Sequence, residues 1–174
     1  MMGTAATIRA ATAADFARIL ALNAESIQFL SPLDAPRLHA LHAQAAYHRV
    51  AELGDRVAAF LLVLREGADY DSPNYRWFTQ RYAQFLYIDR VVVDTAAQGH
   101  GLGALLYEDL IAFAQAQGVA TLTCEFDLQP PNPASARFHA RLGFREVGTQ
   151  WLGGGTKQVS LQARELRPAR GTPV

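Results

Sequence analysis

The segment Phe85–Gly103, FLYIDRVVVDTAAQGHGLG, restricts the fold more than any other part of the chain. Leu86, Tyr87, Ile88, Val91, Val92 and Val93 form an apolar, β-branched run that predicts a largely buried strand over 85–93. Asp94, Thr95 and two alanines make a short turn, and Gln98-Gly99-His100-Gly101-Leu102-Gly103 then opens directly into a helical pattern. Glycine lets the backbone approach a ligand with no Cβ in the way. Amides at a helix N-terminus lack intrahelical acceptors and lie at the positive end of the dipole, so this turn suits an anionic group such as a phosphate.

The elements on either side place this turn late in an α/β chain. Thr7–Ala10 reads as a first strand, and Thr12 with Asp15 as an approximate capping box before a helix carrying Phe16, Ile19, Leu20 and Leu22. A second helix is expected from Pro36 or Arg37 to about Tyr47. His39, His42 and His48 sit on or beside it without a further Cys, Asp or Glu ligand nearby, so they are expected at a solvated surface and no metal is expected. Residues 49–53 and 56–64 read as a hairpin turning at Gly54-Asp55. A polar and aromatic insertion follows, Arg65–Gln84, with Tyr70, Tyr75, Trp77 and Tyr82 and a short helix over 74–82; it is expected to be either a binding loop or an aromatic cap on the core. Beyond the glycine turn, Leu102, Leu105, Leu106, Leu110 and Phe113 predict one buried helix face ending at Gly118. A strand over 121–126, a helix opened by Asn132-Pro133 with Phe138 and Leu142 facing inward, and two strands over 144–151 and 157–166 complete the chain. One domain over residues 1–166 is expected, with a frayed tail over 167–174.

Composition excludes several partner classes. Sixteen basic side chains balance sixteen acidic ones and no Lys/Arg run occurs, so nothing marks a surface for nucleic acid or an anionic membrane. No apolar run approaches the roughly 20 residues of a membrane span. The single cysteine, Cys124, excludes an internal disulfide, reads as a buried structural thiol, and suits a reducing compartment; a cytoplasmic location is expected.

The glycine turn is not a P-loop, because no lysine or hydroxyl follows Gly103. As a dinucleotide fingerprint it fits only the looser form ending at Ala104, away from the first strand, which disfavours a nicotinamide-dependent oxidoreductase. Gln98, Gly101 and Gly103 instead meet the pattern Gln/Arg-x-x-Gly-x-Gly/Ala. Downstream, Asn132-x-x-Ser135-x-x-Phe138-His139 is followed by Leu142-Gly143-Phe144. Together, in this order, the two segments resemble the cofactor half of the GCN5-related N-acetyltransferase superfamily.

That resemblance implies an acyl-CoA N-acyltransferase fold of the α/β (α+β) class, with a mixed, mostly antiparallel sheet of six to seven strands and about four helices. It implies an acetyl-CoA-dependent N-acetyltransferase in which a primary amine of a small molecule or a protein attacks the thioester directly. The alternative is a CoA-binding regulatory or pseudo-enzyme domain without turnover. By the same resemblance, Val91, Val92 and Val93 offer backbone to the pantetheine arm. Gln98, Gly99, His100, Gly101, Leu102 and Gly103 hold the pyrophosphate, and Asn132, Ser135 and Phe138 complete the cofactor site. His139 stands where the superfamily usually has tyrosine, as candidate acid for the leaving thiolate; about a quarter of imidazoles with an ordinary pKa are protonated at neutral pH. Asp89, a charge within an apolar strand, is the candidate base, with Glu125 in reserve and a structural ion pair to an arginine of another strand or another molecule as its rival role. Homodimerisation is common in that superfamily, and nothing in this sequence fixes it.

Overall fold

Seven strands and five α-helices follow one another in a computed structural model that describes residues 4–168. In chain order they are β1 (Ala6–Ala10), α1 (Phe16–Glu25), α2 (Ala35–Gln44), β2 (Tyr47–Leu53), β3 (Arg56–Arg65), α3 (Pro73–Thr79), β4 (Leu86–Val93), α4 (Leu102–Ala116), β5 (Thr121–Gln129), α5 (Pro133–Arg141), β6 (Arg145–Leu152) and β7 (Lys157–Glu165). The strand order is β1-β2-β3-β4-β5-β7-β6, a mixed and mostly antiparallel sheet. The expectation for the tail falls, from residue 169 on, outside the described residues. No helix among the described residues is long and apolar enough to cross a membrane.

By its internal packing the chain divides into two compact units: one up to Leu64 together with Ile88–Leu110, the other Arg65–Tyr87 together with Ile111 onward. In the first, β1, β2 and β3 form an antiparallel meander, and Gly54 turns the β2–β3 hairpin at φ 62° because only glycine takes that conformation without strain. Val57–Leu64 of β3 is buried throughout, with Ile19 and Leu22 of α1, Leu38 of α2 and Leu106 of α4. Side chains tie the layers together: Tyr47 Oη and Arg49 Nη1 both donate to Asp109 of α4 at 2.7 Å. The buried stripe of α4 is centred on Leu106 and Leu110, which brings Tyr107 inside and leaves Leu105 37 % exposed, against the expectation for that leucine.

Two further expectations for this unit are corrected. Helix α2 stops at Gln44, because Ala46 N–H donates to the Val63 carbonyl and Tyr47 and His48 pair with Val63 and Leu62 of β3. His48 is therefore a strand residue, buried against Phe16 and Phe60, and not a solvated one. Its Nδ1 lies 2.8 Å from Nδ1 of half-buried His42, and its buried Nε2 has no hydrogen-bond partner. Burial, then the neighbouring His42, pushes the His48 pKa down to about 4.

In the second unit β5 pairs antiparallel with β7, and β7 with the edge strand β6. Strands β4 and β5 run parallel, with Leu86 opposite Leu122 and Tyr87 opposite Thr123, a ladder that takes up the first two residues of β4. The short helix expected in the insertion forms as α3, ending at Thr79, capped by the Ser72 side chain with Pro73 in its first turn. It builds an aromatic cluster: Tyr75 and Phe78 are buried with Phe85 and Tyr87. Trp77 lies against bare backbone at Gly148, where a Cβ would come within 2.4 Å of the indole. The residue that α5 buries is His139; Phe138 and Leu142, expected inward, are only half-buried.

Candidate active site

In the first unit the strand–turn–helix segment is fixed by Asp94. Its amide donates to the Ala58 carbonyl at 2.7 Å, and its carboxylate accepts from Ala96 N–H at 3.0 Å and from Arg18 at 2.5 Å, with Arg56 at 3.2 Å. These donors, the Ala96 amide foremost, hold the Asp94 carboxyl below its ordinary pKa. The chain then passes through Thr95–Ala97, a single 3-10 turn, into the glycine segment. Gly99 and Gly101 take φ of 86° and 71°, whereas Gly103 lies in the first turn of α4 and needs no such freedom. Nothing lies within 4 Å of where a Cβ would stand on either of the first two. Gln98, Gly99, His100 and Gly101 are exposed and Leu102 is buried, so the turn offers backbone outward while the leucine anchors the helix. His100 Nδ1–H donates to the Ala97 carbonyl at 3.0 Å, which stiffens the turn. The first hydrogen bond of the helix is Leu105 N–H to the Gly101 carbonyl, so the preceding amides have no intrahelical acceptor.

Along β4, Asp89, Val91 and Val93 share the less buried face, and Arg90 and Val92 the buried one. Asp89 Oδ2 accepts from Arg90 Nε at 2.7 Å, with side-chain exposures of 4 % and 3 %. The arginine is thus its own neighbour in the chain, not one from another strand or molecule. Arg90 also donates to Asn23 Oδ1 at 2.9 Å and to the Ser31 carbonyl at 3.2 Å. The Asp89 carboxylate is thus held in a buried ion pair on the strand.

In the second unit Asn132 caps α5, its Oδ1 accepting from Ser135 N–H at 3.2 Å, which leaves the carboxamide NH2 as its remaining donor group. One turn on, His139 stacks on Phe126 with centroids 5.8 Å apart and meets Phe138 and Phe144 edge-on. Its Nδ1 is 2.8 Å from the Ser135 carbonyl and 3.1 Å from Ser135 Oγ. A carbonyl can only accept, so Nδ1 carries the proton and the neutral ring has its lone pair at Nε2. Burial lowers the His139 pKa, with the Ser135 hydrogen bond opposing it. The single N–H that a neutral imidazole could lend to a thiolate is therefore already in use. On β5, Glu125 is half-buried and accepts from Tyr87 Oη at both oxygens, 2.8 and 2.7 Å. Cys124 is buried and its pKa pushed well up by burial, then by the Glu125 charge, as fits a structural thiol. Among the described residues no group of three or more His, Cys, Asp or Glu is arranged to hold a metal ion.

These local geometries accompany a match of residues 13–144 to the model of the acetyltransferase (GNAT) family. The chain belongs to that family. A phosphinothricin N-acetyltransferase from Streptomyces coelicolor is 44% identical over 59 residues, 34% of this chain and 33% of the relative; the match spans about a third of that relative's length. Solved structures share the GNAT fold at low identity. The ribosomal-protein-S18-alanine N-acetyltransferase from Escherichia coli gives a TM-score of 0.72 at 18% identity, covering 98% of this chain and 99% of that one. Ard1 from Thermoplasma volcanium gives 0.76 at 14%, covering 94% and 99%. The yncA structure from Salmonella typhimurium, solved with its cofactor acetyl-CoA, gives 0.70 at 21%, covering 97% and 98%.

Two features of this GNAT chain escape sequence reasoning. The Asp94–Arg18 and Asp94–Arg56 pairs join residues 76 and 38 positions apart, and no local pattern announces them. The Tyr87–Glu125 pair had a readable signal, since each is a polar group placed in an apolar strand.

Proposed function

We propose that the chain is an acetyl-CoA-dependent N-acetyltransferase whose residues 1–166 act as one catalytic domain on a primary amine of a small molecule or protein. The observation that carries this reading is the start of α4, within the family match: two glycines at positive φ, open space where a side chain would stand, and exposed backbone immediately before the helix. An anionic diphosphate suits those amides. Acetyl-CoA supplies an activated acetyl thioester when bound. Gln98–Gly103 grips its diphosphate, with the rigid Asp94 anchor keeping the amides in place. The backbone of Val91, Val92 and Val93 and the Asn132 NH2 group hold the pantetheine arm, and Ser135 and Phe138 border it. His139 hands a proton to the departing sulfur only as imidazolium, from Nε2, since Nδ1–H stays with the Ser135 carbonyl.

Calorimetry tests this reading. Acetyl-CoA is expected to give heat on addition to the wild type where NAD gives none. Gly101→Val, with a β-branched residue forced to φ 71°, is expected to weaken acetyl-CoA at least about 30-fold, a loss of about 2 kcal/mol. No heat from acetyl-CoA and the wild type ends the proposal.

A further inference from the structure

We propose that Lys157 is a positioning residue for acetyl-CoA: its ion pair with Asp127 holds the turn that carries Asn132, and so sets the carboxamide that meets the pantetheine arm. This rests on the acetyltransferase reading above and adds to it a residue that acts through two others.

Asp127 ends the regular part of β5. It lies opposite Val159 of β7, and the register then shifts before Gln129 meets Gln158. A bulge of this kind leaves the extra residue, Leu128, out of the ladder and bends the strand. The Asp127 side chain at this point is 6 % exposed, and a buried charge is costly without a partner. Lys157 supplies one. Its Nζ lies 3.1 Å from Asp127 Oδ1, and its side chain is 38 % exposed, so the stem lies along the sheet while the ammonium stays partly solvated. The ion pair thus crosses the bulge, where the backbone ladder is weakest.

The lysine is itself firmly seated. Directly opposed residues share a face and strand residues alternate, so Lys157, two before Val159, stands on the same face as Asp127 and diagonal to it. It begins β7 opposite Leu152 of β6, straight after a turn that closes on itself. The Gly155 and Thr156 amides donate to the Leu152 carbonyl at 3.1 and 3.2 Å, and Thr156 Oγ1 donates to the Gly153 carbonyl at 2.9 Å. One end of the pair is therefore tied to a hairpin and the other to a bulge.

From Asp127 the connection runs to Asn132. The Asp127 carbonyl accepts from Asn132 N–H at 3.1 Å, closing the turn Leu128-Gln129-Pro130-Pro131, whose two prolines have fixed φ. Asn132 Oδ1 accepts from Ser135 N–H, so α5 orients the side chain while Asp127 holds the main chain. A displacement of Asp127 thus reaches the carboxamide through a single hydrogen bond and a stiff turn. With the ammonium in place the carboxylate stays buried. Stripped of it, the carboxylate is drawn towards water and takes the carbonyl that holds Asn132 with it.

Hydrogen exchange and calorimetry test this together. In the ligand-free protein, Lys157→Met is expected to speed exchange of the Asn132 amide at least about fivefold. The same variant is expected to weaken acetyl-CoA about tenfold, while 3′-phosphoadenosine 5′-diphosphate, which lacks the pantetheine arm, stays within about twofold of the wild type. Lys157→Arg keeps the charge and is expected to restore both readings. On an Asn132→Ala background, Lys157→Met should cost less than about twofold more in acetyl-CoA affinity, because the group it positions is gone. The inference is overturned if exchange is unmoved, if both ligands weaken alike, if Lys157→Arg behaves as Lys157→Met does, or if the two substitutions add in full. Should Lys157→Met fail to fold, Asp127→Asn, which leaves a solvated lysine and no buried charge, is held to the same outcomes. A wild type that gives no heat with acetyl-CoA ends the acetyltransferase reading as well, whereas unmoved exchange beside normal heat ends this inference alone.

Discussion

Each unit buries one imidazole, and the two are housed differently. His139 is 4 % exposed and His48 8 %, both lie among phenylalanine rings, and burial lowers the pKa of both. At His139 the proton has a fixed address, because the partner of Nδ1 is a carbonyl that can only accept. At His48 the partner of Nδ1 is another imidazole, which can give or take, and Nε2 is buried with nothing to bond. Burial alone makes a histidine neutral; the partner decides whether the neutral ring has a defined chemistry.

The largest expected effect comes from His48 and concerns stability. Unfolded, the ring takes a proton below its ordinary pKa of 6.5, whereas folded it refuses one until about pH 4. Its contribution is therefore complete above pH 6.5 and lost as pH falls through that window, by about 3 kcal/mol. Urea unfolding at a series of pH values should show this slope in the wild type and a shallower one in His48→Phe. An unchanged slope in the variant would place the acid sensitivity elsewhere and break the contrast. Next in size is His139→Phe, a replacement that keeps a ring among rings. Turnover should fall about tenfold on the acid side, where the imidazolium exists, and converge with the wild type towards alkaline pH at unaltered acetyl-CoA affinity. A uniform loss across pH would indicate packing instead. The smallest effect is reserved for Ser135→Ala. Because the backbone carbonyl holds Nδ1–H, the His139 titration followed by NMR should move by no more than about 0.3 units; a larger displacement would hand the role to the hydroxyl.

The same two histidines mark what could be read from the chain. His139 stood out through the resemblance, which sets it where the superfamily usually has tyrosine in the segment Asn132-x-x-Ser135-x-x-Phe138-His139. Its tautomer was not, since a backbone carbonyl four residues earlier competes for the proton only once the rotamer is set. His48 was misplaced because the expected helix ran three residues too far: residues 45–47 read as helix, but pairing with β3 claims the chain from Tyr47. The glycine turn was legible in kind, yet the sequence could not tell that Gly99 and Gly101 need a left-handed backbone and Gly103 does not. Asp89 was read as the candidate base and Glu125 as the reserve; the partners they take, the Arg90 guanidinium and the Tyr87 phenol, depend on side-chain reach that the sequence does not carry.

The contact of Trp77 with Gly148 fastens the insertion to the edge of its own unit. An indole seated flush on naked main chain is a latch whose keeper is a single hydrogen atom, and even one methyl at 148 would push the latch open. The insertion helix that carries Trp77 is therefore fastened from the edge strand β6. A side chain of any size at 148 would displace the indole, and with it the hold of β6 on α3.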